Sequence, residues 1–330
     1  MPDELEEREE MGKREGRMQP SGYDLQPAPT AVVNAAVVND AAQLTNEDSK
    51  DIKSTVFAEE SAAEAFQRQI PALKKKPDLP AILAGMHEHI AHSGVQKAAC
   101  QALFNLSDAD DENDEKILRA GGIKLILEAM RAHKTVSGVQ EQGCRALKNL
   151  AANDYVKMGI SMEGGISTIL EVMQANREQH TIQEHGCGAL MNLVAESNAN
   201  KKAVASQGGV TVVLEAMRAH PKRAPLQHYC CAVLMSLAYN NADNQKSIGD
   251  NSGIEQILKA MQAHQNNTSV QEAGCGALDN IGWSDTALQK RIKDTGAVRV
   301  VEAATAAHFL GATTACVKYA QHLLENLKAV

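Results

Sequence analysis

The sequence predicts an all-α protein built as a solenoid of stacked helical repeats. Three observations carry that reading: a pair of motifs recurring about every 44 residues, apolar positions at helical spacing within both motifs, and a scarcity of rings. Only 3% of the 330 residues are aromatic, against 44% apolar in total. A core so poor in rings is filled by Leu, Ile, Val, Ala and Met, which favours helix on helix over sheet on sheet.

The first motif appears as VQKAACQALFNL from Val95, VQEQGCRALKNL from Val139, IQEHGCGALMNL from Ile182, LQHYCCAVLMSL from Leu226 and VQEAGCGALDNI from Val270. A drifted sixth copy, CVKYAQHLLENL, occupies residues 316–327. Val139, Cys144, Ala146, Leu147 and Leu150 fall on one broad helical face. The second motif lies between these copies: GGIKLILEAMRAH from Gly121, GGISTILEVMQAN from Gly164, GGVTVVLEAMRAH from Gly208 and SGIEQILKAMQAH from Ser252. GAVRVVEAATAAH from Gly296 and PDLPAILAGMHEH from Pro77 hold the same place. Ile123, Ile126, Leu127 and Met130 make its stripe, and the Gly-Gly pair breaks the chain ahead of it.

A shorter apolar piece precedes each pair, as in EKILRA from Glu115 and KKAVAS from Lys201. Each unit is therefore one short helix followed by two longer ones. No such unit covers its own apolar face, so the units must stack. The prediction is about five full three-helix repeats plus a partial N-terminal repeat, over residues 77–330.

Upstream, residues 1–45 combine a charge run with a Pro-containing stretch and read as an acidic disordered arm. A capping box, Thr45-x-x-Asp48, opens a helix expected to reach about Ile70, so residues 46–76 are expected to cap the first repeat. The net charge of −8 resides in the N-terminal segment: residues 1–60 hold 14 acidic and 6 basic residues, leaving 27 of each sign beyond. A neutral body argues against a nucleic-acid partner, which needs clustered Lys and Arg.

The start MPDELEEREE has neither the basic opening and apolar run of a secretory signal nor the composition of a transit peptide. With seven cysteines and no C-x-x-C pair, a cytoplasmic or other reducing compartment is expected, an organelle remaining open if the N-terminus is a processed one. Residues 224–242 lack charge but contain Pro225, Gln227, His228, Asn240 and Asn241, which leaves too short an apolar run for a bilayer. No membrane partner is expected.

Two columns of chemically capable residues read as structural. Cys100, Cys144, Cys187, Cys231 and Cys275 hold one repeat position, too far apart for shared metal ligation or disulfides, and act as small apolar fillers. The Gly before them (Gly143, Gly186, Gly274) suits the same close approach. His89, His133, His220, His264 and His308 each end a second-motif helix, where an imidazole meets that helix's exposed carbonyls. His87, His89 and His92 cluster only loosely, and GCGALM and GCGALD lie inside helices with no preceding strand, so neither a metal site nor a phosphate turn follows. No nucleophile–base set or carboxylate pair stands out. The expectation is no catalysis, no cofactor, no metal and no small-molecule substrate.

The GGI-x-x-I-L-E-A-M and V-Q-E-x-G-C-x-A-L-x-N-L motifs, spaced as they are, resemble those of armadillo-repeat proteins over residues 79–327. The resemblance implies a right-handed α-solenoid whose third helices line a concave groove that binds other proteins. It places Asn105, Asn149, Asn192, Ser236 and Asn280 in that groove. An Asn there offers both donor and acceptor to the backbone of an extended partner segment; the alternative is an Asn capping or crossing to the neighbouring repeat.

One turn earlier, where the family's nuclear-import adaptors carry Trp, stand Gln101, Arg145, Gly188, Ala232, Gly276 and His322, so that mode of cargo recognition is not implied. Two turns earlier stand Lys97, Glu141, Glu184, His228 and Glu272. The expected groove is polar, mildly acidic and floored with small residues, able to admit an extended or helical segment of a partner protein. The function implied is a non-catalytic interaction scaffold or adaptor. The second reading is a structural subunit of a larger assembly, anchored by the apolar stretch AVVNAAVV at residues 31–38.

Overall fold

The computed structural model describes residues 64–66, 68, 78–283, 285–308 and 314–329. The charged arm, residues 31–38 and most of the expected capping helix lie outside the described residues. Within that helix, residues 64–66 and 68 are helical, and the Phe66 ring packs directly on Gly85 and 5.8 Å from the His89 ring.

A partial repeat comes first, with α1 (Leu79–Glu88) and α2 (Ser93–Ala109). Repeat 2 comprises α3 (Glu112–Arg119), α4 (Gly122–Ala132) and α5 (Ser137–Leu150). Repeat 3 comprises α6 (Asp154–Met162), α7 (Gly165–Ala175) and α8 (His180–Val194). Repeat 4 holds α9 (Asn198–Ser206), α10 (Gly209–Ala219) and α11 (Ala224–Ala238). Repeat 5 holds α12 (Ala242–Asp250), α13 (Gly253–Ala263) and α14 (Thr268–Ile281). Repeat 6 closes the series with α15 (Thr286–Asp294), α16 (Ala297–His308) and α17 (Thr314–Ala329). This is the all-α solenoid of five full three-helix repeats and a partial first one that the periodicity predicts. One apolar core runs through it from Ile82 to Leu327.

Local chemistry sets the boundaries. Asn153, Ser197, Asn241 and Asp285 accept backbone N–H bonds at the starts of the short first helices. The Gly-Gly pair divides two tasks. Gly121 takes the left-handed conformation at φ 79°, while a Cβ on Gly122 would lie 2.6 Å from the Ile117 side chain. Ser252 holds the place of Gly121 in repeat 5 and is forced to φ 64°.

A ladder that periodicity does not flag secures the second helices of the first five repeats. Gln96, Gln140, Gln183, Gln227 and Gln271 are buried, and each donates from Nε2 to two carbonyls at the end of its own repeat's second helix. Gln140, for instance, bonds Met130 O at 2.8 Å and His133 O at 2.7 Å.

The histidine column corrects the expectation of self-capping. His133 Nε2 lies 2.7 Å from Ile90 O, His220 Nε2 2.7 Å from Arg177 O, and His264 Nε2 2.8 Å from Pro221 O. Each imidazole binds the turn of the preceding repeat, because the glutamine already occupies the carbonyls of its own helix.

Candidate functional site

The third helices α2, α5, α8, α11, α14 and α17 pack side by side in the most extensive helix pairs of the fold. Small residues on three of them let the second helix of the same repeat close in. A Cβ on Gly143, Gly186 or Gly274 would meet the Cγ of Met130, Met173 or Met261 at 2.6, 2.7 and 2.6 Å. The cysteines beside them are buried, and burial pushes the thiols of Cys100, Cys144 and Cys231 up to about 12. They are protonated fillers, as expected. Cys230, outside that column, brings its Sγ to 3.4 Å from Cys187 Sγ, a thiol–thiol hydrogen bond.

The Asn column is half-buried along this layer. Asn149 Nδ2 donates to Ser107 Oγ at 2.9 Å, Asn192 Nδ2 to Lys148 O at 2.8 Å, and Asn280 Nδ2 to Met235 O at 2.9 Å. Each partner belongs to the third helix of the preceding repeat, so the crossing alternative is realised here. Ser107 in turn donates its O–H to the buried carboxylate of Asp114 at 2.5 Å. One N–H of each amide is spent this way; the second N–H and the carbonyl oxygen keep their bonding capacity. Asn105 and Ser236 share the column and are half-buried, as is Gln101.

The expected floor of bare small residues is corrected. Two side chains one residue before the column, Lys148 and Met235, lean forward onto the next repeat. Lys148 covers Gly188, where an added Cβ would lie 2.9 Å from its Cδ, and Met235 covers Gly276. Lys148 Nζ continues to Tyr229, donating to its hydroxyl at 2.7 Å and lying 4.7 Å from the ring centre. Arg145 stacks over the Phe104 ring at 3.9 Å.

Acidic residues flank these cations. Glu141 accepts from Thr181 Oγ1 at 3.0 Å, and Glu184 pairs with Arg223 at 3.2 Å. Glu272 acts on His228, drawing its pKa upward, but burial outweighs it and Lys148 adds to the depression, so the ring stays below its ordinary value. His185 is depressed likewise, by burial first and then by Lys148 and Arg145, against the opposing pull of Glu184 and Glu141. Both imidazoles are neutral at pH 7. The C-terminal end of the face differs. Asp279 is buried and lies 2.6 Å from His322 Nδ1, and the exposed Trp283 stacks on His322 at 4.8 Å. Burial raises the Asp279 pKa, partly offset by His322.

The sequence reading named Gln101, Arg145, Glu141, Glu184, Glu272 and the Asn column for this face and did not name Phe104, Lys148, His185, Tyr229 or Asp279. A signal for Lys148 was its bulk opposite a small residue of the next repeat, Gly188, a pattern repeated by Met235 opposite Gly276. Among the described residues no group of three His, Cys, Asp or Glu converges on a metal position, and no helix is long and apolar enough to cross a membrane. His92 uses its Nδ1 to accept from Val95 N at 3.2 Å as a helix cap.

The stacked three-helix repeats and the third-helix face define an armadillo-type repeat protein. Residues 84–303, about two-thirds of the chain, match the family described as protein zer-1 homolog-like, C-terminal domain, and the chain belongs to that family. A designed armadillo repeat protein is similar in structure at a TM-score of 0.65 and 15% identity, covering 76% of this chain and 100% of that one. A second designed armadillo repeat protein, solved with the peptide (KR)4, matches at 0.57 and 13%, covering 78% and 98%. A structure from work on a phosphorylation switch in the interaction between cadherin and beta-catenin matches at 0.65 and 15%, covering 81% and 56%. At these identities the likeness concerns the fold. Comparison with curated proteins finds no sequence match.

Proposed function

We propose that the chain is a non-catalytic interaction scaffold whose third-helix face holds an extended or helical segment of a partner protein. The observation that carries this reading is the row Asn149, Asn192 and Asn280, each fixed by one bond to the preceding repeat and each retaining amide capacity. Side chains so anchored are already ordered, so a partner backbone binding them meets a small entropic cost. The (KR)4 complex of a designed protein of this fold supports a peptide occupant. Here Arg145 and Lys148 lie among the carboxylates, so a purely basic peptide is not the expected ligand. The protonated, buried thiols support the absence of catalysis.

The test selects binding peptides from a random display library with the full chain. Affinities are then compared for the Asn149→Ala/Asn192→Ala/Asn280→Ala variant. Loss of about tenfold or more in affinity with helicity intact is expected. Unchanged affinity would place the binding surface elsewhere.

A further inference from the structure

A second apolar surface lies away from the third-helix face, on the short first helix of repeat 3. Tyr155, Met158 and Met162 follow one stripe of α6 and are 51%, 56% and 80% exposed. The other repeats supply an internal comparison, because buried Ile160 aligns with Ile117, Val204, Ile248 and Ile292. In that register Met158 corresponds to Glu115, Lys202, Lys246 and Lys290, and Met162 to Arg119, Ser206, Asp250 and Asp294. The fold therefore has no packing need for a methionine at either place.

Met158 and Met162 of this stripe form one edge of a cleft of about 640 Å³ between repeats 3 and 4. Met158, Met162 and Ile166 wall one side, and Ala199 and Ala203 leave room on the other. Lys157, also in its lining, is held by Asp154 at 2.7 Å and by Ala195 O at 3.0 Å.

Area and charge together choose the occupant. The three side chains expose on the order of 400 Å², about half of what each partner gives to a stable interface, which is too little for a second copy of this chain. A cleft of this volume instead takes inserted side chains. The surrounding charges nearly balance: Asp154 with Lys157, Glu196 beside Lys201, exposed Glu163 and Lys202, and one further cation, Arg131, bonded to Glu163 O. So small an excess gives little attraction to an anionic membrane or to nucleic acid. Methionine is the side chain that best adapts to varied apolar anchors. The geometry points to a docking site for a short amphipathic helix of a partner protein, anchored by Leu, Met or Phe inserted between Met158/Met162 and Ala199/Ala203. This surface is independent of the third-helix face.

The experiment uses the full chain with 13C-methyl methionine and a synthetic amphipathic helical peptide presenting Leu and Phe on one face. The control peptide carries Ser at those anchors. Saturable shifts of the Met158 and Met162 methyls are expected with the first peptide. Its Kd should change by less than about threefold between low and moderate salt, and the control should bind at least about tenfold more weakly. The Met158→Lys/Met162→Asp variant, which carries residues the sibling repeats use, should lose about tenfold or more in affinity. A spin label on the peptide gives a second reading without any variant: the Met158 and Met162 methyls broaden and those of buried Met130 and Met217 do not. Four results would overturn the proposal: no saturable shift, equal response to both peptides, shifts on adding anionic vesicles, or shifts that track a doubling of mass in sedimentation.

Discussion

Lys148 passes over Gly188 and donates a 2.7 Å hydrogen bond to the hydroxyl of Tyr229, two repeats further along the chain. Three consecutive third helices are joined by that one side chain. It fills the floor that the small residue at 188 would otherwise leave bare, and it sets a cation where a partner backbone would run. The binding face is thus shaped by contacts between repeats as much as by each repeat's own residues.

Gly188→Ala and Gly186→Ala should behave oppositely. A methyl at 188 meets the far end of a flexible lysine, which can swing aside, so the gain in helix propensity leaves stability unchanged or raised by up to about 1 kcal/mol. A methyl at 186 meets Met173 Cγ at 2.7 Å inside the core, an overpacking that costs about 1–3 kcal/mol. Urea unfolding of the two variants checks the contrast.

Gln140→Ala removes the donor that satisfies Met130 O and His133 O at once. A loss of about 2 kcal/mol or more is expected, against less than about 0.5 kcal/mol for an exposed polar residue such as Lys124 changed to Ala. Chemical denaturation measures both. Equal effects would mean that water replaces the glutamine without loss.

Ser252→Gly relieves a non-glycine residue held at φ 64° where the equivalent residues of four other repeats are glycines at φ 74–81°. Stability should rise by about 0.5–1 kcal/mol, seen as an increase of about 2 °C in Tm.

Alkaline pH should loosen the core through its thiols. Cys100, Cys144 and Cys231 have folded-state pKa values raised by burial from 9.0 to about 12. A raised pKa means that their contribution is intact below pH 9 and declines as pH climbs toward 12, where unfolded thiols ionise and folded ones do not. The slope of Tm against pH above 9 should therefore flatten in the Cys100→Ala/Cys144→Ala/Cys231→Ala variant. An unchanged slope would assign the alkaline loss to other groups.

Much of the architecture was legible because it is periodic. Met130, Cys144 and Leu147 recur at fixed spacing, and spacing is what reveals a helical face. Gln140 recurs just as faithfully, yet apolar patterning does not mark a polar residue as buried, so the glutamine ladder went unread. His133 was visible as a column, but its acceptor, Ile90 O, belongs to the preceding repeat, and no local rule names it. The Asn column was legible as a row, while its ties to Ser107, Lys148 and Met235 depend on how tightly the third helices close. Lys148 escaped notice because its partner is 81 residues away.

The imidazole staples have a consequence for how such a chain changes length. His133, His220 and His264 each reach back by one module, and each glutamine serves only its own. Tandem duplication of a His-bearing cassette therefore repeats the glutamine bonds within it and gives the new imidazole a turn to bind in the copy before it.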